Sequence, residues 1–214
     1  DLIKFTGVNP EKITVTLESA DELPKGNEPV DELIGKKFIM YIGRPTPHKN
    51  LRRLIDAFAL LQKKYPDLTL ALAGKKDSNY ARHETYVNEH GIKNVVFTGF
   101  ISDEQLRWMY ENTAVYCFPS LSEGFGLPGL EAMLHGAPVA SSTATCLPET
   151  HGDAAHYFDP FSVEDIAKSI NDILSDDKLR NELVKKGKKH VKTFSWQRMA
   201  EQTLAVYEKY GRKS

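Results

Sequence analysis

From Lys37 onward, short apolar runs alternate with longer amphipathic stretches, and no other feature limits the fold as much. KFIMYIG, LTLALAG, NVVFTG, AVYCFPS and APVASS are rich in β-branched and aromatic residues, and AHYFDP offers a sixth run. Between the first two lies NLRRLIDAFALLQKKY, which sets Leu51, Leu54, Ile55, Phe58, Leu61 and Tyr65 at helical spacing. A polar helix is expected over 80–90. Another opens at a capping box of Ser102 and Gln105, and a third follows Pro128 and ends near Gly136. Further helices are expected at about 162–174 and 176–190. Strands this apolar need cover on both faces, which predicts an α/β, doubly wound parallel sheet of Rossmann type. Such sheets bind ligands beyond the carboxyl ends of their strands. That rule selects residues 43–50, 74–80, 99–102 and 119–128.

The flanking segments read differently. Residues 1–20 hold a short helical piece and then ITVTL, Ile13 to Leu17, with strand alternation. Residues 18–36 are acidic and polar with two prolines, as in a linker or surface crossing. SWQRMAEQTLAVYEKYG is a separate helix with an apolar stripe of Trp196, Met199, Ala200, Thr203, Leu204 and Tyr207. It either closes this domain or reaches toward a partner domain.

Charge and cysteine content narrow the function. Lysine and arginine total 28 against 29 aspartates and glutamates, a balance that argues against nucleic-acid binding. Cys117 and Cys146 have no metal-ligand spacing and suit a reducing cytoplasm. No apolar run is long enough to span a membrane. DLIKFTGVNPEK lacks a methionine and is no signal peptide, so a piece of a longer chain is expected.

Two of the selected loops carry chemistry. In GRPTPHKN, Gly43 permits close backbone approach, Arg44 offers a planar fork of donors, and Lys49 sits where the next helix opens. Two cations bracketing a strand-to-helix turn make a diphosphate clamp; two solvated surface cations are the ordinary alternative. In PSLSEGFGLPGLEAM, Gly124 and Gly126 flank Phe125, and the free amides after Leu127 form an anion site. Glu123 lies in the loop and Glu131 a turn into the helix, where carboxylates can accept from vicinal hydroxyls. A turn glycine pair and a glutamate near a helix start would look the same taken singly. Together the loops suit a sugar attached to a diphosphate. Phe100 and Ile101 could supply a base pocket and Lys75 a further phosphate contact, though all three also read as loop residues. No metal or cofactor is indicated. His48 reads as a solvated loop residue, His151 and His156 as structural, and KKGKKH (185–190) as a solvated helix end.

At these residues the sequence resembles the C-terminal, donor-binding half of a GT-B fold glycosyltransferase of family 4, the glycosyl transferases group 1. The resemblance rests on FIMYIGRPTPHKN, LALAGKK, VVFTGFIS, PSLSEGFGLPGLEAM with its E-x7-E spacing, GAPVASS, LPETHGDAAHYFDP and FSWQRMAEQTLAVYE, in family order over about 38–208. Residues 18–21 read ESAD where the family often has NGVD. The resemblance implies a retaining, usually metal-free transfer of a hexose from a GDP- or UDP-linked donor. Arg44 and Lys49 would neutralise the diphosphate. Glu123 would hold the hexose and Glu131 the ribose, while Gly124, Phe125, Gly126 and Leu127 would present amides. It implies residues 1–20 as the tail of an N-terminal acceptor domain, 21–36 as interdomain linker, 37–192 as the nucleotide-sugar domain and 193–214 as a helix returning to that partner domain. It also implies a cytoplasmic protein, brought to the inner membrane face where the acceptor is lipid-linked; acidic headgroups are then the second reading of KKGKKH. A non-catalytic nucleotide-sugar-binding module and a glycoside hydrolase using Glu123 and Glu131 are the alternatives.

Overall fold

The computed structural model describes residues 2–26 and 28–211. Asp1, Asn27 and residues 212–214, which belong to the expected 1–20, 21–36 and 193–214 segments, lie outside the described residues. In chain order the elements are α1 (Leu2–Thr6), β1 (Phe38–Ile42), α2 (Leu51–Leu61), β2 (Thr69–Ala73), α3 (Ser78–Glu89), β3 (Val95–Gly99), α4 (Asp103–Asn112) and β4 (Val115–Phe118). Then come α5 (Leu127–Leu134), β5 (Val139–Ser142), α6 (Leu147–His151), β6 (Ala155–Phe158), α7 (Val163–Ser175), α8 (Asp177–His190) and α9 (Trp196–Tyr210). Among the described residues the strands pair in parallel in the order β3-β2-β1-β4-β5-β6. This is the doubly wound order, with its reversal between β1 and β4.

Strand alternation divides the core in two. Ile39 and Tyr41 of β1 face the layer made by α2, α3, α7 and α8. Phe38 and Met40 face the layer that includes α4, α5 and α6. The helix expected over NLRRLIDAFALLQKKY forms with Leu51, Leu54, Ile55, Phe58 and Leu61 all buried, but it ends at Leu61, so Tyr65 lies beyond it. The α4 cap is also reciprocal: Ser102 Oγ accepts from the Gln105 N–H, and Gln105 Oε1 accepts from the Ser102 N–H.

Three segments depart from the sequence reading. Ile13–Leu17 forms no strand. Alternation is necessary for a half-buried strand but supplies no edge to pair with, and Val15–Leu17 instead walls a cleft. Residues 18–36 are more than a surface crossing. Val30 and Leu33 are buried in the second layer, the Leu23 N–H donates to His135 Nε2 at 3.2 Å, and Arg107 donates to the Leu23 carbonyl at 2.7 Å. The short helix α6 was not expected at all. The terminal helix α9 buries none of its side chains; Thr203, Val206, Tyr207 and Tyr210 line a groove with Ile13 and Thr14.

Asn50 joins three connections. It takes the left-handed conformation (φ 59°) that asparagine tolerates better than other side chains. From there its amide donates to the carbonyls of Pro119 (2.9 Å) and Pro160 (2.8 Å) in a buried position. Asn50→Ala removes both donors and leaves an alanine in a left-handed turn, so unfolding in urea should show a loss of about 3 kcal/mol or more. Asn50→Gly should recover only the conformational part, about 1 kcal/mol.

Candidate functional site

The reversal between β1 and β4 leaves a crevice at the strand carboxyl ends, and the two loops read from the sequence form its sides. Gly43 opens the first loop with φ 146°, and a Cβ there would stand 2.9 Å from the Tyr41 hydroxyl. The Leu121 N–H donates to the His48 carbonyl at 2.7 Å and draws the loops together. Lys49 Nζ thereby comes within 2.6 Å of Glu123 Oε1, and the two side chains are only 22% and 12% exposed. A charge-assisted bond in so shielded a place is strong and directional. The Lys49 ammonium keeps two further donors and Glu123 keeps its other oxygen.

Arg44 is sent elsewhere. Its Nε lies 3.3 Å from Asp77 Oδ2, and its side chain is 77% exposed. Asp77 caps α3, accepting from the amides of Asn79 and Tyr80. The Tyr80 amide first, then that of Asn79 and the Arg44 guanidinium, hold this carboxyl below the usual carboxylate range. The two cations are therefore separate posts on one loop. An exposed pair such as Arg44–Asp77 is weak enough for the guanidinium to change partners.

The glycine loop is open to a ligand. A Cβ on Gly124 would meet nothing within 4 Å. Gly126 has φ 100°, and a Cβ there would strike Leu147 at 2.7 Å. Among the described residues the amides of 124–127 find no acceptor. They lie at the positive end of α5, the ordinary setting for an anion. The Phe125 ring lies edge to face with Phe194 at 5.8 Å. Beside Gly124 and Phe125 opens a cleft of about 520 Å³, walled opposite by Val15–Glu18. On α5, Glu131 accepts a hydrogen bond from the buried Tyr110 hydroxyl at 3.2 Å. Burial raises the Glu131 carboxyl, Tyr110 works against this, and Asp21 and Asp103 add to it.

Other expected residues are not gathered in. Phe100 is 85% exposed, whereas Ile101 packs into the second apolar layer, so they share no pocket wall. Lys75 is exposed. Among the described residues no group of three or more His, Cys, Asp or Glu is arranged to hold a metal ion.

His151, read from the sequence as structural, lies under the glycine loop. His151, on α6, is fully buried. Its Nε2 is 3.2 Å from the Gly126 carbonyl, and its Nδ1 is 3.2 Å from the Ser141 hydroxyl. A carbonyl only accepts, so Nε2 carries the proton and Nδ1 accepts from Ser141. Gly129 has no side chain because a Cβ there would overlap this imidazole. Burial lowers the His151 pKa to about 4. Asn50, Tyr110 and Asp77 were missed, because the partners that matter at the site, Pro119 and Pro160, Glu131 and Arg44, lie far off in the chain.

The family described as Glycosyl transferases group 1 matches residues 26–190, and this chain belongs to it. The chain is 35% identical over 182 residues to O-antigen chain mannosyltransferase B of Escherichia coli, covering 83% of this chain and 47% of that protein. It is 33% identical over 214 residues to MMP alpha-(1->4)-mannosyltransferase of Mycolicibacterium hassiacum, covering 98% and 51%. Among solved structures, sucrose-phosphate synthase of Thermosynechococcus elongatus superposes with a TM-score of 0.74 at 29% identity, over 82% of this chain and 45% of that one. The chain thus spans about half the length of the curated relatives it matches. Its sheet is the Rossmann-like sheet of GT-B glycosyltransferases. No helix among the described residues is long and apolar enough to cross a membrane.

The buried imidazole carries a pH dependence. Between about pH 6.5 and 4 the unfolded chain holds a proton on His151 that the folded chain does not. Stability from this residue is therefore full above pH 6.5 and lost as pH falls toward 4. Urea unfolding should show His151 contributing a loss of about 2 kcal/mol between pH 7.5 and 5. His151→Gln, which keeps a donor for Gly126, should remove that component.

Proposed function

We propose that this chain is the donor-binding part of a glycosyltransferase, moving a hexose from a nucleoside diphosphate to an acceptor held by another part of the protein. The observation that carries this reading is the Lys49–Glu123 pair, set beside the unengaged amides of residues 124–127. A cation, a carboxylate and a row of amides at one strand-end crevice match a diphosphate bonded to a sugar. The mannosyltransferase relatives, at 33% and 35% identity, support mannose as the hexose.

Transfer breaks the bond from the anomeric carbon to the phosphate oxygen and forms one from that carbon to the acceptor oxygen; negative charge gathers on the departing diphosphate, which takes up the acceptor's proton. Lys49, already oriented by Glu123, would use its remaining donors there. The positive end of α5 would act alongside it, and Arg44 would swing in from Asp77. Preorganised charge of this kind is commonly the largest catalytic contribution. The free oxygen of Glu123 would accept from hexose hydroxyls, and that of Glu131, with its partner oxygen held by Tyr110, from the ribose. We read the transfer as retaining, as the family resemblance implies, and as front-faced rather than a double displacement, because Glu123 is committed to Lys49 and is no free nucleophile. The neutralising cations are side chains, so the reading asks for no metal. A hydrolase using Glu123 and Glu131 would leave Lys49 and the amides of residues 124–127 without a role.

The same reading assigns residues 1–20, 21–36, 37–192 and 193–214 to acceptor-domain tail, linker, donor domain and returning helix. It also assigns a cytoplasmic setting, with peripheral membrane contact where the acceptor is lipid-linked.

A thermal-shift panel of UDP, GDP, ADP and their sugars tests donor binding. One base should stand out, and at 100 times its dissociation constant it should add about 2.7 kcal/mol of stability. Lys49→Ala and Glu131→Gln should each weaken that ligand at least tenfold. Unchanged binding in both variants would refute the reading.

A further inference from the structure

The back of the loop that carries Arg44 and Lys49 forms one wall of a second cavity. This cavity, about 320 Å³, lies between the start of α2 and the start of α3. Its lining includes Arg52, Arg53, Arg82 and His83, with Thr46 and Asn79 as further polar groups, and contains no carboxylate. That is a concentration of positive charge in a chain whose net charge is -1.

The local helix chemistry heightens the imbalance. The first turn of α2 contains no acidic residue, and Asn50 makes no side-chain cap there. In place of an acid, that turn holds Arg52 and Arg53. Cations at the positive end of a helix repel its unpaired amides, so this arrangement runs against the usual electrostatic preference. Only Arg52 has a counter-charge, since its Nε lies 3.4 Å from Asp56. Asp56 is itself shared with the Tyr86 hydroxyl at 2.7 Å. Among the described residues Arg53 and Arg82 are in no ion pair. Two of the three arginines are nonetheless held in place. Arg53 donates to Asn50 Oδ1 at 2.9 Å, and the Arg52 guanidinium stacks on the Tyr86 ring. Burial first, and Arg52 second, hold the His83 imidazole below its ordinary pKa, so it stays neutral and can donate or accept. Three guanidinium groups lining one cavity, of which only that of Arg52 is paired with a carboxylate among the described residues, suit an anion with several oxygens, because a planar fork can meet such an anion with two bonds.

We propose that the α2–α3 cavity is a second anion site, for a phosphate-bearing ligand, distinct from the donor crevice. The donor crevice is bounded by the loop between β4 and α5, which contributes no residue to this cavity. The ligand chemistry is a phosphomonoester or diphosphate, whether on a soluble metabolite or on a lipid headgroup.

Titration of the 15N-labelled chain with inorganic pyrophosphate at low ionic strength tests the proposal by amide shifts. Amides of Thr46, Arg52, Arg53 and Asn79–His83 should follow their own binding curve. That curve should weaken at least tenfold in Arg52→Gln/Arg82→Gln and persist in Lys49→Ala, whereas shifts at 124–127 should do the reverse. Arg82→Gln alone changes only an exposed helix position; it serves if the double variant is misfolded and should still weaken the curve severalfold. A parallel arm uses phosphatidylcholine vesicles with and without phosphatidylglycerol. A response of this cluster to the anionic vesicles, lost in the same variant, supports the site with a headgroup as its source. A response to pyrophosphate alone supports it with a soluble source. If neither probe moves the cluster, or if the arginine variants bind like the unmodified chain, the proposal is overturned. Failure of the 124–127 shifts alone would count against the donor reading and leave this site standing.

Discussion

Between β1 and β4 the chain reverses the direction in which it lays down strands, and the site depends on that reversal. Successive crossovers run outward from β1 toward β3 and from β4 toward β6, so the connections on either side diverge. The carboxyl ends of β1 and β4 are left adjacent with no helix between them. A gap alone would not bring Lys49 to Glu123. The amide of Asn50 and the carbonyl of His48 tie the β1 loop to the β4 loop, and the second bond from Asn50 ties in the chain after β6. Burial makes the two Asn50 bonds decisive, because a buried carbonyl without a donor is costly.

Charge is arranged on that rim in graded degrees of commitment. Lys49 and Glu123 are shielded and close, Arg44 and Asp77 exposed and looser. A shielded pair orients its groups strongly, whereas an exposed one exchanges partners at little cost. Glu131 stands between these cases, half-buried and steadied by Tyr110. Beneath the glycine loop His151 meets an acceptor on one nitrogen and a hydroxyl on the other, which an aliphatic residue of similar size would leave unsatisfied. Its neutrality follows from burial, and the shape of Gly129 follows from its ring.

Much of this was legible in the chain itself. Each β-strand of the sheet lies where an apolar run was read, because parallel strands covered on both faces leave a continuous signature. The capping box at Ser102 is local and was read correctly for the same reason. The strand reading of Ile13–Leu17 failed because pairing depends on a partner that alternation does not specify. The expected base pocket of Phe100 and Ile101 did not form as a pair, since adjacent side chains after a strand end part company, one to solvent and one to the core.

By itself the amino-acid order determined the α/β class, the strand-end loops and the residue types able to meet a diphosphate and a sugar, all of them consequences of periodicity and short-range chemistry. Which cation faces which carboxylate was decided only by the tertiary structure. Lys49 and Glu123 are 74 positions apart, and Arg44, five residues before Lys49, turns to a different acid. Local rules set what a loop can contain, but the direction its side chains take depends on hydrogen bonds to segments brought near only when the sheet closes.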